Sequence, residues 1–95
     1  MNFNDFKNLP QEAVDEIYKI IGENVKKARK AKKISQLELS LKLGFKSVSL
    51  VSHAENYLYK RHFNIEHLCK ISYILKIDLC QLFEGVSDIL KKYNS

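Results

Sequence analysis

At 95 residues and 11.1 kDa the chain has room for one core and little for a deep substrate cleft. Its 45% hydrophobic and 28% charged residues exclude wholesale disorder, and three glycines with one proline exclude collagen-like or linker-rich architectures. The net charge of +5 is unevenly placed: Asp5, Glu12, Asp15 and Glu16 outweigh Lys7 over residues 1–18, while Lys19, Lys26, Lys27, Arg29, Lys30, Lys32 and Lys33 face only Glu23 over 19–33.

Asn8-Leu9-Pro10 reads as a helix start, with proline placed in the first turn. Val14, Ile17, Tyr18, Ile21, Val25 and Ala28 then recur at spacings of three and four. This apolar stripe passes through Gly22 and ends near Lys32. A glycine inside a helix costs about 1 kcal/mol against alanine, so either one helix covers 10–32 or two meet at Gly22.

The next segment carries two signals. Leu37-Glu38-Leu39-Ser40-Leu41-Lys42-Leu43 alternates strictly, the template of a half-buried strand. Ser35-Gln36-Leu37-Glu38, however, is a capping box, and Gly44 supplies a left-handed stop. Leucine is a helix former and residues 35–44 hold no β-branched side chain, so the reading is helix.

A further helix is expected over 47–56, capped by Ser47 or Ser49, with Val51 and Ala54 inward and Asn56 closing it in the left-handed conformation. The stretch from Tyr57 to Phe63 is an aromatic and basic loop without Gly or Pro. Asn64 caps a helix with Ile65, Leu68, Ile71, Ser72 and Leu75 inward, and Asp78 caps a short turn around Leu79, Leu82 and Phe83. Gly85 ends that turn, and Ser87 starts a last helix with Ile89, Leu90 and Tyr93.

Two short helices joined around a glycine, in a small basic all-α chain, form the helix-turn-helix pattern. The residues sharpen it: Ile21-Gly22, Val25, Arg29, Ile34-Ser35-Gln36, Leu39-Ser40, Leu43-Gly44-Phe45, Val51-Ser52, Glu55-Asn56, Leu68, Ile71-Ser72, Leu75 and Leu82-Phe83. This run, over about residues 20–84, resembles the phage repressor and Cro type, the XRE family. The resemblance implies a five-helix lambda-repressor-like domain over 20–84, with an N-terminal helical extension (1–19) and a short C-terminal helix or tail (85–95). It departs from the family at Ser40 and Ser72, which stand where alanine is usual. The span from Gly44 to Glu55 is one residue longer than the commonest version. Tyr57 stands at the usual glycine position, and its loop lacks the usual proline.

What the resemblance implies about function is a double-stranded DNA operator as partner. Base edges would be read by Ser47, Val48, Ser49, Ser52 and His53, from the start and outer face of the third helix. Gln36, Lys46, Asn56, Lys60 and Arg61 would hold phosphates and set register. Arg29 and Glu55 would form a structural ion pair. Clustered lysines fit such a partner independently, because they release counterions on meeting phosphates. The implied protein is a dimeric repressor or autoregulator, of the restriction–modification controller or Cro-like kind. The alternative is an antitoxin that binds a toxin protein and autoregulates its operon.

Other chemistries find no footing in the sequence. It has no phosphate-binding glycine loop, no nucleophile elbow and no paired carboxylates in a plausible cleft, so neither enzyme nor cofactor is expected. Cys69 and Cys80 match no zinc spacing and are expected as free core thiols in a reducing, cytoplasmic setting. His62 and His67 are expected at the surface or in loops rather than as ligands. No apolar run spans a bilayer, and the acid and amide groups of Met1 to Lys7 lead to the expectation that this stretch is not a secretory signal. Leu37 and Leu41 occupy positions that the family leaves polar. The expectation is that the acidic helix from Pro10 to Lys19, or the tail from Ser87 to Tyr93, covers them or pairs with a second subunit.

Overall fold

The stripe from Val14 to Ala28 winds into one uninterrupted helix, α1 (Gln11–Ala31), in a computed structural model that describes residues 8–94. Pro10 is its N-cap rather than its first turn, and the Pro10 carbonyl accepts from Ala13 N–H at 3.0 Å. There is no joint at Gly22. A methyl group there would meet the backbone carbonyls of Ala54 and Glu55, the second at 2.8 Å. The glycine is therefore the place where another backbone lies directly on α1. Lys33 closes the helix at φ 59°, with Ile34 N–H reaching back to the Arg29 carbonyl at 3.2 Å.

Residues 36–42 are helical, as leucine and the cap require: α2 (Gln36–Lys42) starts where Ser35 Oγ accepts Glu38 N–H at 3.0 Å. Its end is a Schellman closure around Gly44 at φ 92°. Phe45 N–H bonds the Ser40 carbonyl at 2.9 Å and Gly44 N–H bonds Leu41 at 3.0 Å. Then come α3 (Ser49–Asn56), a 3-10 turn (Leu58–Lys60), α4 (Ile65–Leu75), a second 3-10 turn (Leu79–Phe83) and α5 (Val86–Asn94). Among the described residues there are five α-helices and no strand. The fold is all-α.

The core is Ile21, Val25 and Ala28 of α1, Leu39 and Leu43, Val51 and Ala54 of α3, Phe63, and Leu68, Ile71, Leu75 and Leu82. α1 is the spine on which α3, α5 and the second 3-10 turn all pack. Asn24 pins that turn by donating to the Leu82 and Glu84 carbonyls at 3.0 and 2.9 Å. The Cα radius of gyration is 15.1 Å, against about 12 Å for a compact chain of this length.

Several expectations are corrected here. Tyr57, not Asn56, closes α3 in the left-handed conformation, and α3 begins at Ser49. Cys69 and Cys80 are exposed rather than core, because the inward positions around them are filled by Leu68, Ile71 and Leu82. Ile65 is 65% exposed, sitting in the first turn beside its cap where α4 has not yet met the core. Neither addition covers the leucine face: Leu37 and Leu41 remain 52% and 58% exposed. The start of α1 and α5 pack on each other instead, tied by Lys92 Nζ to Glu16 at 2.9 Å. The acidic residues of one answer the basic residues of the other.

His67 is more than a surface residue. Asn64 Oδ1 accepts His67 N–H at 2.8 Å and His67 Nδ1 accepts Asn64 N–H at 3.1 Å, a complete capping box for α4. Burial pushes this imidazole below its ordinary 6.5. The unfolded chain therefore takes up the proton first, and stability present above about pH 6.5 is lost as pH falls through the lower, folded value. We expect the melting temperature to fall between pH 7 and 5. His67→Gln, which keeps a capping acceptor, should flatten that slope in thermal melts. An unchanged slope would assign the effect to another group.

Candidate nucleic-acid interface

The second and third helices are locked together by one charged cluster. Arg29 Nε and Nη2 donate to the two carboxylate oxygens of Glu55 at 2.7 and 3.0 Å, a bidentate pair that is almost wholly buried. Arg29 Nη1 also reaches the Ile34 carbonyl at 2.8 Å, fixing the turn between α1 and α2. Gln36 donates its amide to Glu55 Oε1 at 3.0 Å, joining α2 to the same carboxylate. Three helices thus share one charge pair, and the residue expected at a phosphate is bonded within the protein at its nitrogen.

Fixing Glu55, Val51 and Ala54 inward decides what α3 shows outward. Ser49 and Asn56 are exposed, and Ser52 and His53 half-buried, on the opposite side of the helix. Ser47 and Val48 lie just before it, and the Ser47 hydroxyl accepts Ser49 N–H at 3.4 Å. Asn56 turns its amide back to the Ser52 carbonyl at 3.0 Å. The His53 ring stands edge-on to Tyr59 at 5.3 Å, and its Nδ1 is enclosed with no hydrogen-bond partner among the described residues. Lys46, Lys60 and Arg61 are exposed at the two ends of this surface.

The two serines that replace alanine are satisfied locally. Ser40 Oγ bonds the Gln36 carbonyl at 2.8 Å and Ser72 Oγ bonds Cys69 at 2.8 Å. Neither leaves a buried hydroxyl unpaired, so both substitutions cost little.

In the loop after α3, sequence reasoning did not single out Tyr59 or the contacts that Tyr57 and His62 make with α1. Tyr57, Tyr59 and Lys60 all have positive φ, at 53°, 55° and 58°. Left-handed backbone costs a non-glycine residue roughly 1–2 kcal/mol, so this loop needs support from outside itself. Tyr57 Oη donates to Asp15 Oδ1 at 2.6 Å. That bond pushes the Tyr57 phenol up to about 12 and, with a second bond from Gln11, holds the Asp15 carboxyl below its ordinary range. Tyr18 stacks on His62 at 3.8 Å and on Tyr57 at 5.9 Å. The one signal in the sequence was a tyrosine where glycine is usual; nothing in it pointed to Asp15.

The surface can bond base edges through short hydroxyls and an imidazole, and phosphates through its flanking cations. Among the described residues no helix is long and apolar enough to cross a membrane, and no group of His, Cys, Asp or Glu could hold a metal ion. No curated protein and no solved structure matches the chain. The helix-turn-helix family matches residues 25–82, which run from the middle of α1 to the second 3-10 turn and contain α2, α3 and the Arg29–Glu55 pair. With that match over more than half its length, the chain belongs to the helix-turn-helix family of the XRE kind, whose members are DNA-binding transcriptional regulators rather than enzymes.

Proposed function

We propose that the chain is a dimeric, sequence-specific repressor or autoregulator, working in the cytoplasm, that reads a duplex operator with α3. The supporting observation is the outward face of Ser49, Ser52 and His53, aimed by a buried charge cluster and flanked by Lys46, Lys60 and Arg61. Ser47 and Val48 extend that face, and Gln36 and Asn56, each with one amide hydrogen already given within the protein, would offer the other to phosphates. Two copies related by a two-fold axis would place half-sites about 34 Å apart or a multiple of that.

Selection on random duplexes, followed by footprinting, tests this reading. His53→Ala or Ser49→Ala should lose about 1–3 kcal/mol of specific binding for each base contact removed. Lys60→Ala should weaken all sequences alike and lower the salt slope by about one. Equal binding of selected and random duplexes by the native protein would overturn it. The exposed Leu37 and Leu41 support a protein partner. A second copy is the simpler occupant, and a toxin is the alternative. A monomer in sedimentation equilibrium, shifted only by a neighbouring gene product, would favour the antitoxin.

A further inference from the structure

Residues 57–62 bridge α3 and α4, and their two ends converge on one patch of α1. Tyr57 at the first end bonds Asp15 and stacks on Tyr18; His62 at the other end stacks on the same Tyr18 ring at an interplanar angle of 14°. Asp15 and Tyr18 lie three residues apart, on one face of the helix, in the acidic stretch that precedes the family match. His62 Nδ1 also lies 3.2 Å from the Lys60 carbonyl, tying the second anchor to the middle of the loop.

Between the anchors everything points outward. Leu58, Tyr59, Lys60 and Arg61 are exposed, Tyr59 to 81%, and Tyr59 meets His53 of α3 edge-on. The backbone here is left-handed at three non-glycine residues, a conformation that persists only where surroundings impose it. A carboxylate beside a phosphate-binding loop opposes DNA by charge. Its placement makes sense if Asp15 acts on the loop and not on the nucleic acid.

We propose that Asp15 and Tyr18 are positioning residues for DNA binding: they clamp Tyr57 and His62 so that Tyr59, Lys60 and Arg61 are presented to the backbone of the duplex beside α3. The start of α1 is then part of the DNA-binding machinery without touching DNA. The proposal rests on the DNA-binding reading above.

The experiment compares the native chain with Asp15→Ala, Tyr57→Phe and the double variant. Binding is read by fluorescence anisotropy on the selected duplex and a random one across a salt series. Each single variant should bind the selected duplex about tenfold more weakly, the worth of one charge-assisted hydrogen bond. The double variant should be no worse than either single, because both remove the same bond. The salt slope should fall by about one as Lys60 loses its place. Without DNA, amide exchange across 57–62 should quicken while α1 and α4 stay protected and melting moves by only a few degrees. Native affinity and slope in both variants would overturn the proposal and leave the DNA reading intact. So would an affinity loss matched by a general loss of protection with the slope unchanged. A native chain that prefers no selected duplex would instead remove the DNA reading, and this proposal with it.

Discussion

Replacing Arg29 or Glu55 by alanine is expected to cost about 3–5 kcal/mol, because each change leaves the other charge buried alone. Both side chains are nearly sealed from water, and together they make four hydrogen bonds, to each other, to the Ile34 carbonyl and from Gln36. A domain of this size has roughly 5–10 kcal/mol in total, so the variants should melt about 15–30 °C lower or fail to fold. Removing both charges is a different experiment. Arg29→Met with Glu55→Leu should be far more stable than either single alanine variant, since no ion is left unpaired. It should still bind DNA less specifically, because α2 and α3 lose the tie through Gln36. Thermal melts of the four proteins decide the matter. Single variants melting within a few degrees of native would mean that the pair is open to water in solution.

Gly22→Ala should be the second large loss, and its sign opposes local propensity. In an open helix the change gains about 1 kcal/mol. Here the new methyl would strike the carbonyls of Ala54 and Glu55, which are backbone and have no rotamer to escape into. Overpacking of this kind costs about 1–3 kcal/mol, beyond what propensity returns. The end of α3 would be pushed away from α1, so specific affinity should fall even at temperatures where the variant is folded. Gly44→Ala makes the comparison clean: nothing surrounds that position, and its cost comes only from φ 92°. A Gly22→Ala protein that melts at or above native would show that α1 can slide past α3 freely.

The sequence was legible wherever one local signal decided an outcome. Ser35 and Gly44 bounded α2 against an alternating pattern that suggested a strand, because caps and leucine propensity act within a few residues. Asn64 and Asp78 each cap the element they precede. What could not be read depended on contacts far apart in sequence. Gly22 was ambiguous until the end of α3 lay across it. Cys69 and Cys80 looked inward by type but were outward by phase, since free cysteine is common both in cores and, occasionally, at surfaces. Tyr57 could be recognised only as a departure; its partner Asp15 lies 42 residues away. Of the two roles expected for the additions, covering Leu37 and Leu41 within the chain is not the one they take, since they satisfy each other through Glu16 and Lys92.

On the reading proposed above, the shortness of α3 limits how much information it can extract. Eight residues make a rod about 12 Å long, which lies along about four base pairs. Any given four-pair word recurs by chance about once in 256 positions of random duplex, far too often to mark one promoter among about a million competing sites. Two copies reading two such words would meet a chance match about once in 65,000 positions, still short of uniqueness. The duplex itself can supply more. On the dimeric reading proposed above, groove width and bendability between the half-sites are such a source, so changing base pairs that no side chain reaches should still alter affinity.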